Sequence, residues 1–356
     1  MARARSPYME WAKNRPPPAI DLAGSNLLAC RLEELPGARE AVDLAGESPN
    51  GYAPLLDAIA SRYGVPSECV ATGGGCSGAN FLALAALLDA GDDVLLESPG
   101  YDPLPAAASL LGANVRRFQR RFEEAYALDP DRIAHALTSR TRLVVISNPH
   151  NPSGALSSRE EMTQLGRLAE RRGIPVLVDE VYQDIVRGES PPPAATLSPL
   201  FVSTNSLTKA YGLSSLRCGW TVATREITER IRRARDLVDV SGPIPAERLA
   251  LLAFQNLPRL AARARKIFEP NAALFDSFVE SRQDLECVPP RTTIAFPRFR
   301  NRRDAGTFVR RLLEERGVAV VPGSFFESAE HFRISLGGAS DMLAEGLASI
   351  RATLDA

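Results

Sequence analysis

Apolar and polar positions alternate along this chain in two periods, and the period changes at regular intervals. Leu55, Leu56, Ile59 and Ala60 share one face of a helix predicted over Tyr52–Tyr63. From Cys69 onward short apolar runs alternate with helical patterns. Strands are predicted at Cys69–Thr72, Asp93–Glu97, Asn114–Phe118, Arg142–Ser147 and Pro175–Asp179. Between them fall helices at Phe81–Leu88, Pro103–Leu111 and Asp129–Leu137, and one opened by the capping pattern Ser157-Ser158-Arg159-Glu160 and stopped by Gly173. Continuous apolar strands separated by helices imply a mainly parallel sheet covered on both faces. Two more strands, Phe201–Thr204 and Leu216–Ala223, flank a polar loop, and a basic helix follows at Arg225–Val238.

Ser241-Gly242-Pro243 breaks that pattern. Beyond it, helices at Ala246–Gln255, Leu260–Glu280 (with Pro270 inside) and Asp304–Glu315 mix with short strands at Thr292–Phe296, Val318–Val321 and His331–Ser335, a smaller α+β unit. Residues 1–45 read as an arm, with Pro16-Pro17-Pro18 held extended and a short strand in Ile20–Asn26. The division expected is an arm over 1–45, a large domain over 46–240 and a small domain over 241–356.

Composition narrows the function more than the fold. The chain has 356 residues, 45% hydrophobic and 24% charged, with a formal net charge of −1. That balance gives no electrostatic footprint for nucleic acid or an anionic membrane. No apolar run reaches bilayer-spanning length, and Pro7, Glu10 and Lys13 interrupt the place where a signal peptide would need an apolar stretch, so a cytoplasmic protein is expected. Five scattered cysteines without a CxxC and three scattered histidines suggest neither a disulfide framework nor a metal site.

Lysine usage points at one loop. Lys13, Lys209 and Lys266 are the only lysines in a chain whose other cations are arginines, and Lys209 lies in Asn205-Ser206-Leu207-Thr208-Lys209-Ala210-Tyr211-Gly212, with Arg217 eight positions on. A lysine can act as a neutral amine nucleophile; an arginine cannot. Taken alone, Lys209 could equally be a solvated surface residue. Other segments at predicted strand ends carry matching chemistry. Thr72-Gly73-Gly74-Gly75-Cys76-Ser77-Gly78 is a glycine-rich turn able to hold a phosphate, lacking both a Walker lysine and a dinucleotide fingerprint, or else a plain tight turn. Ser98-Pro99-Gly100-Tyr101 offers an aromatic face. Asn148-Pro149-His150-Asn151-Pro152-Ser153-Gly154 is a rigid turn whose Asn151 can donate to a phenolate-like oxygen. Asp179-Glu180-Val181-Tyr182 ends a buried strand in an acid that can pair with a pyridinium nitrogen, where the commoner role is a helix cap or a solvated carboxylate.

As a set, these motifs resemble the pyridoxal 5′-phosphate (PLP)-dependent aminotransferases of class I/II, fold type I. The likeness runs over roughly residues 51–223 and weakly to the C-terminus. It implies an α/β large domain with a mainly parallel, seven-stranded type of sheet, plus a smaller α+β domain, and transfer of an amino group from an α-amino acid to a 2-oxo acid. Lys209 would form the Schiff base and carry the proton. Asp179 would pair with the pyridine nitrogen, Asn151 and Tyr182 would bond the ring oxygen, and Tyr101 would stack on the ring. Gly75, Cys76, Ser77, Ser206 and Arg217 would hold the phosphate. Arg333 would fork onto the substrate carboxylate, with Gly24 in a loop closing over it.

A homodimer is also implied, although Gly46 stands where family members often carry a tyrosine that reaches the neighbouring subunit's phosphate site. The same motifs are compatible with a PLP-dependent lyase, decarboxylase or biosynthetic cyclase. A PLP-binding regulatory module would need a DNA-binding domain, which the sequence does not offer.

Overall fold

The structure is a computed structural model and describes residues 4–356. The chain opens with helix α1 (Pro7–Asn14), a two-residue strand β1 (Ile20–Asp21) and helices α2 (Ala38–Ala41) and α3 (Ala53–Tyr63). The central alternation is β2 (Val70–Gly74), α4 (Gly75–Leu87), β3 (Asp93–Ser98), α5 (Pro103–Leu110), β4 (Asn114–Gln119), α6 (Pro130–Ala136), β5 (Thr141–Ser147), α7 (Arg159–Arg172) and β6 (Val176–Asp179), then β7 (Phe201–Ser206) and β8 (Cys218–Val222). Helices α8 (Arg225–Asp236), α9 (Ile244–Gln255) and α10 (Leu257–Glu280) lead into the last third. There, two-residue strands β9 (Leu285–Glu286), β10 (Ile294–Ala295) and β11 (Arg298–Phe299) precede α11 (Gly306–Arg316). Strands β12 (Val318–Ala319), β13 (Val321–Pro322) and β14 (Phe332–Ser335) and helix α12 (Ser340–Leu354) complete the fold.

Seven strands form one sheet in the order β2-β8-β7-β6-β5-β3-β4. Only β8 runs against its neighbours, pairing antiparallel with both β2 and β7. Strands β3 and β6 are buried along their whole length, and β5 everywhere except Arg142 near its start, as continuous apolar runs require when helices cover both faces. Apolar clusters lie on the two faces of this sheet: Leu82, Val94, Val145 and Leu177 pack in one, Leu95, Ile146, Met162 and Phe201 in the other.

Register carries the site. Ser147 is opposite Asp179, and Asp179 opposite Thr204, so the turns after β5, β6 and β7 leave the sheet at one edge. Strand β2 runs the same way as β7, because each is antiparallel to β8, and its glycine end reaches that edge too. This is the carboxyl edge where open α/β sheets bind ligands.

Three local differences from the sequence expectation have physical causes. Helix α4 starts at Gly75, not Phe81, so the glycine-rich segment ends strand β2 at Gly74 and supplies the helix's own first turn from Gly75. Gly219 permits this, since a Cβ there would overlap the Gly75 carbonyl. The capping box of α7 is Ser158 with Glu161, one residue later than Ser157 with Glu160. Ser157 is engaged elsewhere: its hydroxyl accepts from Arg120 at 3.1 Å and its N–H donates to Asn148 Oδ1 at 2.9 Å. The strand expected in Ile20–Asn26 shrinks to Ile20–Asp21, paired parallel with Val318–Ala319.

Candidate active site

The turns at the carboxyl edge enclose a cavity of about 240 Å³ that Lys209, Asp179, Asn151, Tyr182, Tyr101 and Arg217 help to line. A wider cleft of about 950 Å³ opens at the opposite, amino ends of the strands beside Asp92, Thr141 and Pro175. Its charges, Asp89, Asp92, Arg142, Arg172 and Arg230, do not converge with a lysine, and the smaller cavity holds the chemistry.

Asp179 sits at the last position of β6 and is buried. Burial pushes its pKa up, while hydrogen bonds from Asn80, the Val181 N–H and Cys76 pull it back down. Asn80 Nδ2 donates to Oδ2 at 2.8 Å; Val181 N and Cys76 Sγ approach Oδ1 at 3.1 and 3.3 Å. Burial is the larger effect and the net shift is upward; the donors aimed at the carboxylate offset part of it, because each bonds the charged form.

Lys209 is half-buried in the loop after β7. Burial, and then the positive charge of Arg333, bring its pKa down from 10.5 to about 8. Its Nζ donates to Ser25 Oγ at 2.8 Å and Asn26 Oδ1 at 2.7 Å. The amino-terminal segment is strapped over this loop by Leu27 N to Lys209 O (3.2 Å) and Cys30 N to Gly212 O (3.0 Å). Gly212 has φ +70°, and a side chain there would strike the Leu28 carbonyl.

At the other side of the cavity, Gly75 N donates to Arg217 O at 2.8 Å, and Arg217 Nη2 donates to Gly74 O at 2.9 Å. A Cβ on Gly75, whose φ is +74°, would overlap the Arg217 guanidinium. Arg217 is exposed, and Ser77 and Ser206 line the cavity between it and Lys209. The first turn of a 13-residue helix, two hydroxyls and a guanidinium make an anion cradle.

Arg333 is fully buried beneath the cavity on β14. Its Nη1 donates to Asn151 Oδ1 at 3.1 Å, and Nη2 donates to Tyr8 Oη at 2.7 Å; Nε has no partner among the described residues. The bond from Arg333 fixes the Asn151 amide so that its Nδ2 is the free end. The buried Tyr182 hydroxyl likewise has no partner. Two unengaged donors, a cradle for an anion and a lysine of depressed pKa fit the phosphorylated pyridine aldehyde that the sequence motifs imply.

Every residue singled out in the sequence for this site lies at the cavity or directly against a residue that lines it, with Gly24 the outermost. Gly24 is exposed, with nothing within 4 Å of a would-be Cβ, while its neighbours Ala23 and Ser25 contact Arg333 and Lys209. Sequence reasoning missed Asn80 and Thr204 behind Asp179, and Tyr8 and Met9 on α1. Asn80 was findable, being one helical turn beyond Cys76 on the same face. Helix α1 had a signal as well, Ser6 as N-cap with Pro7 at the first helical position.

Comparison with known proteins agrees with this geometry. The family described as aminotransferase class I and II matches residues 22–350. A capreomycidine synthase from Streptomyces vinaceus is 36% identical over 308 residues, covering 83% of this chain and 77% of that protein. An aspartate aminotransferase from Geobacillus stearothermophilus is 28% identical, with 79% and 75% covered. Among solved structures, a PLP-dependent aminotransferase from Streptococcus suis superposes with a TM-score of 0.93 at 26% identity, covering 100% of this chain and 98% of that one. An aspartate aminotransferase from Thermotoga maritima, 23% identical, shares the fold with a TM-score of 0.88 over 98% and 95% of the two chains.

Proposed function

The chain belongs to the PLP-dependent class I and II aminotransferase family, and from that membership we propose that Lys209 is the residue to which PLP attaches in a transamination between an α-amino acid and a 2-oxo acid. The observation that carries this is a lysine of lowered pKa sharing one cavity with the buried carboxylate of Asp179. When bound, PLP supplies an electrophilic carbonyl carbon and a pyridinium ring that draws off the electron pair left when a bond at the α-carbon breaks.

The protein's own groups do the rest. Lys209 Nζ, with its pKa near 8, keeps a neutral fraction at physiological pH and serves both as nucleophile and as the base that takes the α-proton. Asp179, with Asn80, Val181 N–H and Cys76 as donors to its carboxylate, would receive the pyridine N–H. Asn151 Nδ2 and the Tyr182 hydroxyl would donate to the ring oxygen, and Tyr101 would stack on the ring. Gly75, Cys76, Ser77, Ser206 and Arg217 hold the phosphate. Arg333 binds the substrate carboxylate, a planar two-oxygen group suited to a guanidinium. The loop around Gly24 closes the site.

The name of the Streptomyces vinaceus relative, a synthase, supports a second reading in which the same attachment residue serves a lyase, decarboxylase or cyclase outcome. The residues described bind the cofactor and do not select which α-carbon bond breaks. A spectrophotometric half-reaction separates the two. Transamination predicts a visible cofactor band that is lost on adding a mixed amino-acid pool and returns only on adding a 2-oxo acid. Spontaneous return with release of ammonia or carbon dioxide would assign the second outcome.

The division into an arm over 1–45, a PLP-binding domain over 46–240 and a small domain over 241–356 belongs to this proposal, as does a homodimer. Exposed apolar side chains support the dimer: Leu44, Leu237, Val238 and Val240 are 85%, 89%, 60% and 67% exposed. A cytoplasmic location is consistent with five free cysteines, and no helix among the described residues is long and apolar enough to cross a membrane.

A further inference from the structure

Behind Asp179, on the side away from the cavity, lies a polar chain within an otherwise apolar layer. The Thr204 hydroxyl is 2.6 Å from Asn80 Oδ1, and Asn80 Nδ2 is 2.8 Å from Asp179 Oδ2. All three residues are buried: Thr204 is 0% exposed, Asn80 4% and Asp179 6%. They come from three elements, β7, α4 and β6, so the sheet and its covering helix together set the spacing.

The direction of the chain matters. A side-chain amide has one donor end and one acceptor end, and which end meets Asp179 decides whether the contact favours or opposes its charge. Thr204 Oγ1 is a hydroxyl with a proton to give, and at 2.6 Å its best acceptor is Asn80 Oδ1 (the Val178 carbonyl is at 3.4 Å). With Oδ1 engaged, only Nδ2 can face Asp179.

We propose that Asn80, oriented by Thr204, is a positioning residue that keeps the Asp179 carboxylate ionised and fixed in direction for the cofactor's pyridine nitrogen. The inference rests on the assignment of Asp179 to that nitrogen. Burial opposes the charge on Asp179, and Asn80 supplies a neutral donor on Oδ2 that the site's backbone does not provide. Cys76 and the Val181 N–H serve the other oxygen, Oδ1. A protonated Asp179 would offer a proton of its own where the pyridinium N–H needs an acceptor.

The test is titration of the cofactor-free protein with PLP, followed by the pH midpoint of the bound cofactor's visible band, in wild type, Asn80→Leu, Thr204→Val, Asp179→Ala and the Asp179→Ala/Asn80→Leu double variant. Asn80→Leu is expected to bind PLP about tenfold more weakly, the loss of one hydrogen bond to a charged group. Its midpoint should move in the same direction as that of Asp179→Ala, by less. Thr204→Val preserves side-chain shape and lets the amide turn, so it should show the same signature even if Asn80→Leu folds poorly. In the Asp179→Ala background, Asn80→Leu should add nothing to the midpoint. If Asn80→Leu and Thr204→Val lower only the melting temperature, with affinity and midpoint unchanged while Asp179→Ala moves both, Asn80 is structural and the inference is overturned. If Asp179→Ala itself moves neither, the assignment of Asp179 falls and takes the inference with it.

Discussion

The side chains of this site are tuned by what surrounds them, and the sharpest expectations are for single residues. Lys209 is the clearest case. Only the neutral amine attacks a carbonyl, so lowering the pKa from 10.5 to about 8 brings the reactive form within reach of neutral pH. Capture of PLP by the cofactor-free protein should therefore speed up as pH rises through about 8 and level off above it; a rise continuing to pH 10 would mean that burial does not act on this amine. Lys209→Arg should leave the fold intact and give no turnover and no covalently held cofactor, read by mass spectrometry after borohydride reduction. For Arg333→Lys, a point charge replaces a fork that also holds Asn151 and Tyr8. A loss of about 2 kcal/mol, on the order of thirtyfold and mainly in KM for the amino acid, is expected from steady-state kinetics.

At the scale of elements, stability depends on how helices begin and how closely strands approach them. Ser158 caps α7 through the Glu161 N–H while Glu161 returns a bond to the Ser158 N–H, so Ser158→Ala should cost about 1 kcal/mol in urea unfolding without altering cofactor affinity. Gly219→Ala is different, because the new methyl would collide with the Gly75 and Cys76 backbone at the start of α4. Roughly 1–3 kcal/mol of destabilisation together with weakened PLP binding is expected, since β8 and the anion cradle would have to separate. Helix α1 shows why elements near the chain start were hard to read. Its apolar residues do not form a long periodic stripe, and Ser6 and the Tyr8 N–H are held by Asp102, almost a hundred residues away. Tyr8 then reaches Arg333 from the far end of the sequence.

For the whole molecule, the amino-terminal segment and the chain after α8 are brought to one side. Arg248 holds Asp43 and the Ala45 carbonyl, and Arg233 reaches Asn50. Leu44 and the exposed run at Leu237, Val238 and Val240 therefore belong to neighbouring segments that a second subunit would cover. Light scattering is expected to give twice the mass of one chain, 38.5 kDa. Leu237→Asp with Val240→Asp should shift that mass toward the monomer; an unchanged dimer would place the interface elsewhere.

The sequence alone determined the alternation of strands and helices and the five motifs at strand ends, including Lys209 and Asp179, while Arg333 followed from the family resemblance those motifs carry. That information is local: burial on both faces makes a strand continuously apolar, and turns at a ligand edge carry their own glycines, prolines and polar residues. What only the tertiary structure decided is the register that sets Ser147, Asp179 and Thr204 abreast, the start of α4 inside the glycine run, and the partners Asn80, Thr204 and Tyr8. Those features arise from contacts between residues far apart in the chain. An asparagine, a threonine or a tyrosine acquires its role here from the atom it faces, and no neighbour in sequence records that atom.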